Sequence, residues 1–153
     1  RRGADRRGVQ PGDHLAVYGT LLSGYSPHEA FGLPDRLGYV RSCTVDGVLY
    51  DLGAYPGLVV DGAAGDRDAR DGVVHAELYR VRDATLRREL DSFEGYDPAD
   101  VEGSRYVRER IDLRRPAVRA WVYVYTGATA SATVVPSGDW RAYAGGPEPT
   151  ASE

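Results

Sequence analysis

Only one stretch of this chain has both the length and the period of an amphipathic helix. Across residues 84–94, Leu86, Leu90 and Phe93 fall at i, i+4 and i+7 and form one apolar stripe. Asp83 is placed to cap its start, and Gly95 to stop it. Most of the other apolar runs are β-prone. His14–Tyr18, Gly38–Tyr50, Val73–Val81, Tyr106–Leu113 and Val118–Thr126 read as strands, with Gly47 marking a bulge or a corner. A lone good helix in the second half of a strand-rich chain excludes the regular alternation of a doubly wound sheet. The expected class is α+β, with a small mixed or closed sheet and a helix packed against it.

The 153 residues suit one domain. Residues 1–13, rich in Arg and Gly, read as a disordered arm, 14–143 as the folded domain and 144–153 as a loose tail. Residues 23–36 read as a loop with one helical turn, 51–62 as a turn-rich crossing and 61–72 as an exposed polar loop. The stretch 137–143 reads as a capped turn of helix. With no Met at all, initiator included, the chain reads as processed or as a piece of something longer.

Charge and residue inventory narrow the function. A net charge of −4 argues against nucleic acid as a partner, since phosphate binding needs a dense basic patch. No apolar run approaches the ~20 residues of a membrane span, and the charged N-terminus lacks a signal-peptide core. The single Cys43 permits no intrachain disulfide and points to a reducing, cytoplasmic setting; mid-strand, it reads as inert core. Three scattered histidines (His14, His28, His75) and one Cys form no metal signature. Neither a phosphate-cradling glycine loop nor a nucleophile elbow is present. No metal or cofactor is expected.

Three features can carry chemistry. Glu94 lies ~40° from Leu90 on a helical wheel, at ~100° per residue, at the edge of the apolar stripe. It also falls in the last turn, where the helix dipole disfavours a carboxylate. Both effects raise a carboxyl pKa, which suits a proton shuttle at neutral pH; the alternative is a solvated Glu at a fraying end. Trp121, Tyr123 and Tyr125 share one side of a strand, either as walls and hydroxyls of a pocket or as core packing. The Gly19-Thr20-Leu21 turn either presents N–H groups to a carboxylate or simply connects two elements.

Together these pieces resemble the γ-glutamylcyclotransferase-like family. The resemblance rests on Tyr18-Gly19-Thr20-Leu21 after the first strand and GVLYDLGAYPGLV at 47–59. It continues through Glu77-Leu78-Tyr79, Leu90-Asp91 with Glu94-Gly95, Tyr106-Val107-Arg108, the VYVY of 122–125 and SGDW at 137–140. It implies a small mixed β-barrel with flanking helices. It also implies an activity, release of 5-oxoproline and a free amine from a small γ-glutamyl amide or amine. The substrate's own α-amine attacks its γ-carbonyl, so the enzyme's tasks are orientation and proton transfer. By this resemblance Glu94 is the catalytic acid–base. Tyr18, Gly19, Thr20 and Leu21 bind substrate, with the turn's N–H groups on its α-carboxylate, and Tyr106 and Tyr123 line the pocket.

The loop 95–106, with Asp97, Asp100 and Glu102, is either a cap that selects a cationic leaving amine or a solvated surface loop. A non-catalytic module of the same fold, holding a γ-glutamyl or amino-acid ligand, is the competing function. The leaving amine and the oligomeric state are open from sequence.

Overall fold

The structure, a computed structural model, describes residues 8–60 and 72–146. Among these described residues, twelve elements follow one another. They are β1 (His14–Val17), α1 (Ser26–Ala30), α2 (Leu33–Arg36), β2 (Leu37–Asp46), β3 (Val48–Asp51) and β4 (Pro56–Val59), then β5 (Val73–Val81), α3 (Leu86–Glu94), β6 (Tyr106–Asp112), β7 (Arg119–Tyr125), β8 (Thr133–Val134) and α4 (Trp140–Ala144). The class is α+β with a mixed sheet, as expected.

Five strands form the large sheet in the order β2-β5-β1-β7-β6, and three form a small one, β4-β3-β8. β1 runs parallel to β7 and antiparallel to β5. The ladder does not close into a barrel among the described residues: β2 and β6 remain edges of the large sheet. Gly47 is the corner where the long β run passes from one sheet to the other. A Cβ there would meet the Val59 carbonyl oxygen at 2.6 Å, so a side chain would force the corner open.

Both faces of the large sheet are covered. Ala16, Val45, Leu78, Val122 and Val124 pack with Leu49 and Leu58 of the small sheet and with Trp140 of α4. Leu15, Val17, Tyr79, Trp121 and Tyr123 pack on the other side, with Leu21, Leu22 and Leu33 and with Leu86 and Leu90 of α3. The alternation in β5 and β7 therefore separates two cores rather than a core from solvent.

Several expectations change at the element ends. Residues 23–36 form two short helices, α1 and α2, each opened by a proline in its first turn, rather than one helical turn in a loop. The described part of the expected arm, 8–13, is tied to the sheet. Gly12 N–H donates to the Val81 carbonyl (2.8 Å), and the Asp13 carboxylate accepts from Trp121 Nε1 (3.0 Å) and Arg110 (3.2 Å). The rest of the arm and tail, and loop positions 61–71, lie outside the described residues. Asp83 does not cap α3 directly. Its Oδ1 accepts from the N–H and hydroxyl of Thr85, at 3.0 and 2.6 Å, holding a turn that leads into the helix at Leu86.

The buried face of α3 is rotated from the one the leucines suggest. Leu86, Leu90 and Asp91 are buried, whereas Phe93 is 41% exposed and packs edge-on against Phe31, with ring centroids 5.2 Å apart. On the wheel Phe93 and Asp91 flank Leu90 on opposite sides, at roughly −60° and +100°. Burial follows the Asp91 side because an ion pair waits there. Glu94 thus moves from the edge of the buried face toward its middle.

Candidate active site

The chain leaves β1 in a tight turn at its carboxyl end. Leu22 N–H donates to the Gly19 carbonyl (2.9 Å), and a Cβ on Gly19 would meet Pro56 Cγ at 2.7 Å. Only glycine lets the turn and the start of β4 approach so closely. None of the described residues accepts from the N–H groups of Gly19, Thr20 or Leu21. Unpaired N–H groups beside a cavity are donors waiting for an anion.

The turn is held from behind. Glu77, a buried carboxylate in β5, accepts from Ser23 N–H (2.8 Å), the Ser23 hydroxyl (2.7 Å) and the Tyr79 hydroxyl (2.9 Å). Arg141 of α4 reaches the same carboxylate at 3.4 Å and also donates to the Ser23 carbonyl. The buried His28 ring places Nδ1 2.8 Å from the Leu21 carbonyl oxygen. The turn is therefore fixed by groups from β5, α1 and α4, so its free N–H groups are preorganised.

A pocket of about 230 Å³ opens over this turn. Small-molecule sites commonly span ~300–1,000 Å³, so this one suits an amino-acid-sized group. The residues that the resemblance implies (Tyr18, Gly19, Thr20, Leu21, Glu94, Tyr106 and Tyr123) all line it, whereas Trp121, on the same strand face as Tyr123, is core and Tyr125 lines a neighbouring cleft. Their individual chemistry differs from expectation. The Tyr18 hydroxyl donates to the Tyr123 carbonyl (2.7 Å) and accepts from Leu58 N–H (3.1 Å). Tyr106 donates to the Pro56 carbonyl and Tyr123 to Asp91 Oδ1 (2.6 Å). The three hydroxyl protons are thus committed to the frame, and burial pushes all three phenols further above their usual range. The tyrosines supply walls rather than acid–base groups.

Glu94 is the exception. It is half-buried at the end of α3, and no hydrogen bond from the described residues holds its carboxylate. Desolvation in the pocket pushes its pKa up to about 8; Arg105 opposes the shift and Asp91, one turn earlier, adds to it. Near neutral pH such a group exchanges a proton readily in either direction.

Asp91 and Arg108 were not singled out from sequence as site residues. Asp91 Oδ1 accepts from Arg108 Nε (2.9 Å) and Oδ2 from Arg108 Nη2 (3.2 Å). The guanidinium sits over the Trp121 and Tyr96 rings at 4.9 and 5.4 Å. This fork fixes α3 on β6 and β7, and through α3 it fixes Glu94. The available signal was the pair of charges inside otherwise periodic segments, Asp91 beside Leu90 and Arg108 opposite Tyr123 in the ladder.

The acidic loop is not a pocket rim. Asp97 Oδ1 accepts from Ala99 N–H and Asp100 Oδ1 from Gly103 N–H, at 2.9 and 3.1 Å, so both cap turns of their own loop. Neither they nor Glu102 lines the pocket. Arg105 N–H donates to the Gly95 carbonyl (3.0 Å), which closes the loop at its base. The residue delivered to the pocket is Arg105, a cation. Elsewhere, Cys43 is buried with its thiol pushed up to about 12, as inert core requires. No cluster of three His, Cys, Asp or Glu among the described residues could hold a metal, and no described helix is long and apolar enough to cross a membrane.

Comparison with known proteins meets this geometry. The family model described as "Gamma-glutamyl cyclotransferase, AIG2-like" matches residues 15–142. A protein of Vibrio cholerae named "Putative gamma-glutamylcyclotransferase" is 37% identical over 128 residues, 83% of this chain and 95% of that one. The solution structure of ytfP from Escherichia coli superposes with a TM-score of 0.57 at 30% identity, covering 83% of this chain and 95% of that one. The crystal structure of a mouse AIG2-like protein does so with a TM-score of 0.54 at 24% identity, covering 78% and 81%, and bears on the fold alone.

Proposed function

The chain belongs to the AIG2-like γ-glutamyl cyclotransferase family, and from that premise we propose that it cyclises γ-glutamyl amides, releasing 5-oxoproline and a free amine. The observation that carries this reading is Glu94, a carboxyl raised to about 8 and lining the same pocket as three unpaired backbone N–H groups.

The substrate's α-carboxylate sits on the N–H groups of Gly19, Thr20 and Leu21, which orients the γ-glutamyl chain toward Glu94. Glu94, as carboxylate, takes a proton from the α-ammonium. The freed amine attacks the γ-carbonyl carbon and forms the ring C–N bond. As the tetrahedral centre collapses, the scissile C–N bond breaks, Glu94 returns the proton to the departing nitrogen, and the ring nitrogen gives up its second proton, which ends on the freed amine as its ammonium form. Nucleophile and electrophile are already in one molecule, so holding the chain folded supplies much of the rate. Tyr106 and Tyr123 wall the reacting chain and exclude water. Desolvation keeps one carboxyl competent both as base and as acid.

Glu94→Gln removes the proton relay while keeping size and shape. With a panel of γ-glutamyl amides and mass-spectrometric detection, wild type is expected to form 5-oxoproline and the variant to lose roughly 10²–10⁴-fold in kcat, the usual worth of general acid–base catalysis. Full activity in Glu94→Gln would sink the assignment. Binding without turnover in wild type would favour a ligand-holding module instead.

A further inference from the structure

Two cavities meet at one wall. The pocket over the Gly19 turn shares Tyr55 and Arg105 with a second cleft of about 530 Å³. The second cleft is bounded by the β3–β4 turn on one side and by residues 128–133 on the other. If the γ-glutamyl half fills the first pocket, with its γ-carbonyl beside Glu94, the group on the far side of the scissile bond needs an exit. The shared wall supplies one next to the reacting atoms.

The chemistry of that wall is cationic. Arg105 is exposed, its guanidinium carbon lies 5.3 Å from the centroid of the Tyr55 ring, and none of the described carboxylates forms an ion pair with it. The bond from its N–H to the Gly95 carbonyl fixes its backbone beside the end of α3. The one carboxylate that lines the second cleft among the described residues, Asp51, is already engaged. Its Oδ1 accepts from Gly53 N–H (2.8 Å) and its Oδ2 from the Tyr143 hydroxyl (2.8 Å). Ser131 and Thr133 add hydroxyls to the cleft. An arginine stacked on a ring, with its fork unpaired, suits a planar carboxylate.

We infer that the second cleft receives the leaving amine and that Arg105 selects leaving groups carrying a carboxylate, against cationic ones. This rests on the cyclotransferase reading of the first pocket. It reverses the preference that the acidic loop suggests in sequence, because Asp97 and Asp100 cap turns of their own loop, neither they nor Glu102 lines either cavity, and Arg105 is the residue of that loop that lines both.

Three γ-glutamyl amides separate the possibilities: γ-glutamyl-alanine, γ-glutamyl-alaninamide and mono-γ-glutamyl-1,2-diaminoethane. They share the reacting half and differ in the charge of the leaving group. For wild type, kcat/KM is expected to fall from the anionic to the neutral to the cationic compound, with about fivefold or more between the first two. Arg105→Gln is expected to bring the anionic-to-neutral ratio to about one, Arg105→Lys to keep part of it, and Arg105→Glu to favour the cationic compound. Arg105 also acts on Glu94, but that effect is common to all three substrates, so the ratio isolates the leaving group. Equal wild-type values for the three compounds, or a ratio unchanged in Arg105→Gln, overturns the inference while leaving the cyclotransferase reading intact. No 5-oxoproline from any of the three overturns both.

Discussion

Glu94 joins local sequence to chemistry, and its titration has a sign that can be checked. Its folded pKa, about 8, lies above the ordinary 4.5, so the folded state holds the proton more tightly than the unfolded chain does. The stability tied to the protonated form is fully present below pH 4.5 and is lost as pH rises to about 8. Glu94→Gln does not titrate. The variant is therefore expected to gain on wild type across that window, by an amount of order a few kcal/mol at ~1.36 kcal/mol per pKa unit, read by denaturant unfolding at several pH values. A stability difference that is flat with pH would mean that the carboxyl is not desolvated. Asp91→Asn acts in two ways. It takes a charge from Arg108 in a buried fork, at a cost of roughly 3–5 kcal/mol. It also removes a repulsion that raises Glu94, so the acid limb of the rate profile is expected to move to lower pH. Of these residues, Glu94 was legible because the wheel angle and the helix end both point at it. Asp91 was not, because a polar residue off the leucine stripe reads as solvent-facing until its partner on β6 is known.

At the scale of elements, the site is a turn and a helix end held by neighbours far along the chain. The positions of β1, β2, β3, β5, β6 and β7 were readable from β-branched and aromatic runs, and Gly47 was readable as a corner; β4, inside a stretch that reads as a turn-rich crossing, and the two-residue β8 were not. What tied the turn was not: Ser23, Glu77 and Arg141 stand in three separate segments, and only the fold brings them together. The rotation of α3 was hidden for the same reason, since the period fixes a stripe but not which flank an ion pair pulls inward. Glu77→Gln is expected to raise KM for a γ-glutamyl substrate several-fold with a smaller effect on kcat, because it loosens the N–H groups and leaves Glu94 in place. Steady-state kinetics decide it, and a change confined to kcat would contradict a role for Glu77 in holding the turn. Asp139 caps α4 by accepting from Ala142 N–H (3.2 Å). Asp139→Ala is expected to cost about 1 kcal/mol by thermal or denaturant unfolding.

At the scale of the whole molecule, two sheets and two cores meet at the pocket, and Tyr18 is a tie between them. Its hydroxyl joins the Tyr123 carbonyl in the large sheet to the Leu58 N–H in the small one. Tyr18→Phe leaves that buried N–H without a partner, so a loss of about 1–3 kcal/mol is expected at unchanged unfolding slope. The α+β class was legible from one helical period among β-prone runs, whereas the split into two sheets was not, since a bend at Gly47 serves a closed barrel equally well. The most direct test of the proposed chemistry is kcat/KM for 5-oxoproline release from a γ-glutamyl amide as a function of pH, measured beside Glu94→Gln. Expected is an acid limb centred near pH 8 in wild type, with the variant reduced to a residual rate without that limb. An acid limb near 4.5 would mean that the Glu94 carboxyl is not raised in the pocket, and one that persists in Glu94→Gln would assign the proton transfer to some other group.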